Sequence, residues 1–211
     1  MPLFWVCANL LTTMNIQFTA TKNLGEINTD VLILGVWEAK KEDNKKSKKK
    51  GDLKLSQLAS KVDKLMMGYL TSTVRDEKFT GKFKETILVQ TGDVIKAKRI
   101  LLVGLGPSSD CKANTWREAV AVAIRRSQGI KAKRVAVLVP EFVPTQKTSF
   151  TYRQILEGLA EGILLGSYQY TNYHGIEAKA EAEKNAIVEI SFIELSSKPS
   201  PELEAGVKQG Q

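Results

Sequence analysis

At 211 residues the chain is long enough for one substantial domain and at most about two. Its 43% hydrophobic and 26% charged residues are those of an ordinary globular protein. Of the net charge of +8, residues 40 to 50 alone carry +5, so the remaining chain is only mildly basic and the total is a poor pointer to a polyanion partner.

The first thirteen residues, Met-Pro-Leu-Phe-Trp-Val-Cys-Ala-Asn-Leu-Leu-Thr-Thr, are apolar like a signal core, but no basic residue precedes them and no small-x-small cleavage pattern follows. They read as an upstream extension rather than a targeting segment, with the fold starting at Met14. No stretch reaches the roughly 20 apolar residues of a membrane span, and no membrane partner is expected. From Met14 the alternation of Ile16, Phe18 and Ala20 with polar residues predicts a half-buried strand. Val31-Leu-Ile-Leu34 is continuously apolar and suits a strand covered on both faces.

Residues 40 to 50 hold seven lysines and two acids with no aromatic between them, a pattern of a solvated loop that could at most add DNA contact. Leu55, Leu58, Ala59, Val62, Leu65 and Met66 then recur at helical spacing, with Gly68 as a stop. Ile87-Leu-Val89 and Ile100 to Val103, joined by a polar link around Gly92 and Asp93, predict an antiparallel pair.

The segment Arg99-Ile-Leu-Leu-Val-Gly-Leu-Gly106 admits two readings, a phosphate cradle or a buried strand with a sharp turn. A dinucleotide fingerprint needs a third glycine, and that position is Ser109. Pro107 also intervenes, and no helix is expected before Asn114 or Thr115, so the glycines lack a helix N-terminus behind them. The strand and turn reading is preferred.

Thr115 with Glu118 predicts a capping box, followed by Trp116, Ala119, Val120 and Ala123 on one face and by Gly129 as the stop. Val135 to Val139 reads as a strand ended by Pro140. Thr151 with Gln154 repeats the capping pattern before Ile155, Leu156, Leu159, Ile163 and Leu164. That helix carries Gly158, Gly162 and Gly166 on nearly one face; each costs about 1 kcal/mol relative to alanine, so close backbone contact should compensate. Ile187 to Ile193 gives a last strand, Ser196 to Pro201 has linker composition, and Glu202 onward begins a helical pattern. A helix of about ten residues with nothing to pack on is marginal.

Chemistry-bearing residues are few. Cys7 and Cys111 stand far from each other and from His174, so neither a disulfide framework nor a zinc site is suggested, and a reducing, cytoplasmic setting fits. His174 is the only histidine and has no second one to form a metal pair. No Gly-x-Ser-x-Gly elbow exists, and Glu157 and Glu161 at helical spacing read as solvent-facing. No catalytic, cofactor-binding or metal-binding residue is assigned.

In order along the chain, Phe79-Thr-Gly-Lys82, the Arg99 to Gly106 strand, Leu159-Ala-Glu-Gly-Ile-Leu-Leu-Gly-Ser-Tyr168 and the tail Glu202-Leu-Glu-Ala-Gly-Val-Lys-Gln-Gly-Gln211 resemble the N-terminal domain of the leucyl (cytosol) aminopeptidases. The resemblance implies a macro-domain-like three-layer α/β/α fold with a mixed sheet of about six strands. It divides the chain into an extension (1–13), the domain (14–195), and a linker with the start of a helix toward a catalytic domain (196–211). Complete members are implied to carry two divalent metals, zinc or manganese, in that further domain, and to remove N-terminal residues from peptides as cytoplasmic homohexamers. Asn28-Thr-Asp30 matches the opening of the family's metal-binding signature, but Val31-Leu-Ile-Leu34 follows it, so the match is read as chance. The expected role is therefore noncatalytic. Its rivals are a stand-alone macro-like module for an ADP-ribose-type ligand and a nucleic-acid-binding domain.

Overall fold

The computed structural model describes residues 14–38, 55–144, 149–168, 184–196, 198 and 200–210. Six strands form one mixed sheet: β1 (Asn15–Ala20), β2 (Val31–Glu38), β3 (Thr86–Gln90), β4 (Arg99–Pro107), β5 (Arg134–Leu138) and β6 (Glu189–Glu194). Their order across the sheet is β1-β6-β5-β2-β4-β3. All neighbours are parallel except β3, which pairs antiparallel with β4. The helices are α1 (Gln57–Leu65), α2 (Tyr69–Asp76), α3 (Ala113–Gly129), α4 (Tyr152–Ser167) and α5 (Pro201–Gly210).

The period of 2 along each interior strand sends alternate side chains to opposite faces, and both faces are covered. Ile33, Leu101, Val103, Val137 and Phe192 meet α3, α4 and α5 in one core. Leu32, Leu34, Leu102, Leu138 and Ile193 meet α1 and α2 in the other. This is the expected three-layer α/β/α arrangement. Val31 to Leu34 are fully buried in the middle of the sheet, whereas edge strand β1 keeps the alternating half-buried pattern of its sequence.

The glycines of α4 face α3, and α5 repeats the device against α4. A Cβ on Gly162 would overlap the Arg117 carbonyl and stand 2.8 Å from Arg117 Cα, and one on Gly166 would stand 2.8 Å from Ala121 Cα. Gly206 and Gly210 would likewise meet Leu156 Cβ and the Glu157 carbonyl at 2.8 and 2.7 Å. The helical cost of these glycines is offset by backbone-to-backbone packing of three helices.

Several local expectations change. Thr115 is not the N-cap of α3: the helix begins at Ala113, and Thr115 sits in its first turn, where Oγ1 accepts the Lys112 N–H at 2.9 Å. Gly129 lies within the last turn, and the left-handed residue is Lys131. Gly68, at φ 83, stops α1 as expected but also opens α2, which the sequence pattern did not reveal. The link between β3 and β4 is not a tight polar turn, since it buries Ile95 and Ala97 and is held by Thr91 Oγ1 donating to the Ala97 carbonyl at 2.6 Å. Finally, α5 does have something to pack on: Leu203 and Val207 are fully buried in the core it shares with α4.

Candidate functional site

An open α/β sheet binds ligands outside the carboxyl ends of its parallel strands, where successive connections leave toward opposite faces. Here the chain leaves β2 toward α1 and α2 on one face, and leaves β5 toward α4 on the other. β4 likewise leaves toward α3 on that second face, so the switch occurs on both sides of β2, and the first of the two crevices falls between the ends of β2 and β5.

A short helical turn, Val139–Phe142, fills it, with Pro140 setting its start. Phe142 is fully buried and Glu141 is 5% exposed. Gly35 of β2 makes the room: a Cβ there would stand 2.9 Å from Leu105 Cδ1 and 3.1 Å from both the Glu141 carbonyl and Phe142 Cδ1. Two indoles pin the turn, Trp116 Nε1 donating to the Phe142 carbonyl at 2.8 Å and Trp37 Nε1 to the Val143 carbonyl at 3.2 Å. The Glu141 carboxylate is spent on α1, where it accepts the Ser56 hydroxyl at 2.5 Å and the Ala59 N–H at 3.1 Å. Burial pushes the Glu141 carboxyl above its ordinary range, and the bonds from Ser56 and Ala59 oppose that rise.

The glycine strand is equally committed. Gly104 N–H donates to the Glu85 carbonyl at 2.8 Å and Gly106 N–H to the Gly81 carbonyl at 3.0 Å, so neither amide is left for an anion. A Cβ on Gly104 would fall on the Lys82 carbonyl. Gly106 takes φ 73 where β4 carries one residue more than β2, so both glycines lie within a bulged strand rather than in a turn beyond it. The Phe79-Thr-Gly-Lys82 tract lies over them, held by Glu85, which accepts Thr80 N–H, Thr80 Oγ1 and Lys82 N–H at 3.0 to 3.1 Å. What remains open at this edge is a cleft of about 330 Å³ between Phe83, Leu105, Pro107, Lys112 and Glu118. Lys84 crosses to Glu118 at 2.6 Å beside it. Next to the cleft, burial raises the Cys111 thiol, and a bond from Thr115 opposes the rise.

The remaining candidates do not converge. Glu157 pairs with Arg153 on its own helix, and Glu161 pairs with Arg117 of α3. Asp30 is a structural carboxylate that accepts Lys98 Nζ at 2.8 Å and the Lys133 and Arg134 N–H groups at 3.0 Å. Burial alone would raise it, but these bonds win and hold it at about 2. Its place beside Asn28 and Thr29 is the entry to β2. Among the described residues no three His, Cys, Asp or Glu side chains form a group that could hold a metal. His174 and residues 40 to 50 lie outside the described residues.

One further buried group had no sequence signal. Glu194 at the end of β6 accepts the Tyr152 hydroxyl at 2.5 Å, the Ser200 N–H at 2.8 Å and the Ser200 hydroxyl at 2.9 Å. It thereby ties the start of α4 to the start of α5. Burial and the neighbouring Glu194 carboxylate push the Tyr152 phenol above its usual range.

A family model described as the N-terminal domain of the cytosol aminopeptidase family matches residues 33–175. The chain belongs to the cytosol aminopeptidase family. It is 25% identical over 193 residues to a probable cytosol aminopeptidase of Alkaliphilus metalliredigens, covering 90% of this chain and 34% of that protein. It is 30% identical over 145 residues to one of Roseiflexus castenholzii, covering 69% and 24%. The chain thus spans about a quarter to a third of these cytosol aminopeptidases. In fold it is similar to a tomato leucine aminopeptidase variant, with a TM-score of 0.69 at 20% identity over 93% of this chain and 35% of that one. A macrodomain of Oceanobacillus iheyensis gives 0.58 at 9% identity, covering 92% of this chain and 89% of its own. The N-terminal domain of a cytosol aminopeptidase and a macrodomain therefore share this architecture.

Proposed function

We propose that this chain is a noncatalytic domain of a dimetal aminopeptidase, serving assembly and access to an active site whose metal ligands are supplied by other residues of the family's full-length enzymes. The observation that carries this reading is the filled crevice. Between the ends of β2 and β5, one of the two places where a sheet of this kind would take a ligand, Phe142 and Glu141 are packed onto Gly35 and held by two indole bonds. The glycine amides that could bind phosphate are bonded to backbone carbonyls. The described residues do not fit a zinc or manganese pair, so no chemical step is assigned to them.

The 211 residues are expected to show no turnover of leucine amide substrates with manganese or zinc added. Metal-dependent turnover lost on chelation would overturn the reading. The macro-like alternative predicts micromolar ADP-ribose binding by calorimetry, and the filled crevice predicts none. The domain's partners under this proposal are the catalytic domain and other subunits of a cytoplasmic homohexamer. Among the described residues no helix is long and apolar enough to cross a membrane. A DNA contact through residues 40 to 50 is tested by retention on DNA at moderate salt with and without that segment; equal retention would remove the loop from any such role.

A further inference from the structure

Strand β3 is an edge whose only strand partner among the described residues is β4. Thr91 N–H donates to the Lys98 carbonyl, and Gly104 N–H to the Glu85 carbonyl. Counted by twos between those bonds, residues 85, 87, 89 and 91 face β4. Thr86, Leu88 and Gln90 therefore turn their N–H and C=O groups outward. Natural sheets guard such an edge with lysine, proline or a covering element, and Thr86-Ile-Leu-Val-Gln90 contains neither residue type. The exposed apolar side chains Phe83 and Val94, 43% and 54% accessible, lie just beyond its two ends.

We propose that this edge pairs with β3 of a second copy of the chain, antiparallel about a two-fold axis at Leu88, joining the two sheets into one. The axis sets Leu88 against Leu88 and Thr86 against Gln90 of the other copy, so no like charges oppose each other within the strand. It also brings the end bearing Lys82 and Lys84 toward the end bearing Asp93. Residues 80 to 93 hold two lysines and two acids, so this segment adds no net charge to the contact. This pairing concerns the chain's own assembly and stands or falls separately from the peptidase question.

The test is sedimentation velocity on the 211-residue chain across the micromolar range, with amide exchange read at Thr86, Leu88 and Gln90. The expected result is a dimer whose formation slows exchange at those amides as concentration rises. A double variant, T86K with Q90K, sets lysines opposite each other twice across the axis and should weaken the dimer about tenfold without touching the bonds to β4. Mixing it with T86E/Q90E should restore dimers that neither variant forms alone. A chain that stays monomeric overturns the proposal, as does a dimer that the lysine pair leaves unchanged. The exchange measurement needs no variant, and protection at the three amides that does not vary with concentration overturns it as well.

Discussion

Phe142 lies against Gly35 so closely that its Cδ1 would stand 3.1 Å from a Cβ at that position, and this contact closes the crevice between β2 and β5. Gly35→Ala should force the Val139–Phe142 turn outward and cost about 1–3 kcal/mol. Phe142→Ala should leave a cavity and cost about 3–5 kcal/mol. Urea denaturation followed by tryptophan fluorescence reads both, since Trp37 and Trp116 donate to this turn. If both variants were as stable as the parent, the turn would not be a packed plug.

The glycines of the helical layer separate into those that touch a backbone and those that do not. Gly162→Ala pushes a methyl into the Arg117 carbonyl, and a cost of about 1–3 kcal/mol from overpacking should exceed the roughly 1 kcal/mol gained in helix propensity. Gly129→Ala meets nothing within 4 Å and lies inside α3, so it should stabilise by up to about 1 kcal/mol. Paired thermal melts check the signs, and the same sign for both would refute the distinction.

Residues whose role is set by sequence-local physics were legible in advance. The buried run Val31 to Leu34, the Thr151 cap of α4 and the need of Gly158, Gly162 and Gly166 for a close neighbour all follow from period, hydrogen-bond chemistry and missing side chains. The three-layer fold class came with the family resemblance of the Phe79–Lys82, Arg99–Gly106 and Leu159–Tyr168 stretches. What escaped depends on distant partners. Phe142 and Glu141 sit in an unremarkable Val-Pro-Glu-Phe stretch, and nothing local says that Gly35, Ser56 and two tryptophans meet them. Glu194 similarly looks like the end of a strand until Tyr152 and Ser200 arrive from elsewhere. Thr115 misled because a threonine three residues before a glutamate satisfies the capping pattern, whereas the cap position of α3 is Lys112, three residues earlier.

Asp30 makes stability depend on acid. Its folded value of about 2 lies below the unfolded 3.8, so its contribution is fully present above pH 4 and is lost as pH falls through 2. The difference corresponds to about 2 kcal/mol at neutral pH. Asp30→Asn should remove roughly that amount at pH 7 and flatten the fall in stability below pH 4. Urea midpoints at several pH values check it, and an unchanged acid limb would show that other carboxylates dominate.

Glu141 works in the opposite sense. Its folded carboxyl titrates above the unfolded value, so its ionised form at neutral pH lowers stability, and protonation relieves this as pH falls through the folded value. Glu141→Gln keeps an oxygen to accept from Ser56 and Ala59 without the buried charge. It should be at least as stable as the parent at pH 7 and should lose the parent's gain on mild acidification. A clear loss of stability at pH 7 would mean that the charge, facing the N-terminus of α1, is worth more than its burial costs.

Tyr152 and Ser200 share one carboxylate, Glu194, which is 7% exposed. Tyr152→Phe removes a hydrogen bond to a charged acceptor and should cost about 1.5–3 kcal/mol. Because Ser200 N–H and Oγ remain bonded to Glu194, α5 should stay docked on α4 in this variant. Glu194→Ala strands both the phenol and the start of α5. It should therefore speed amide exchange throughout α5, where Leu203 and Val207 otherwise hold the helix down. The comparison isolates the role of the carboxylate: equal exchange in the two variants would show that α5 is held by its glycine seam and buried side chains alone, with Glu194 contributing only to α4.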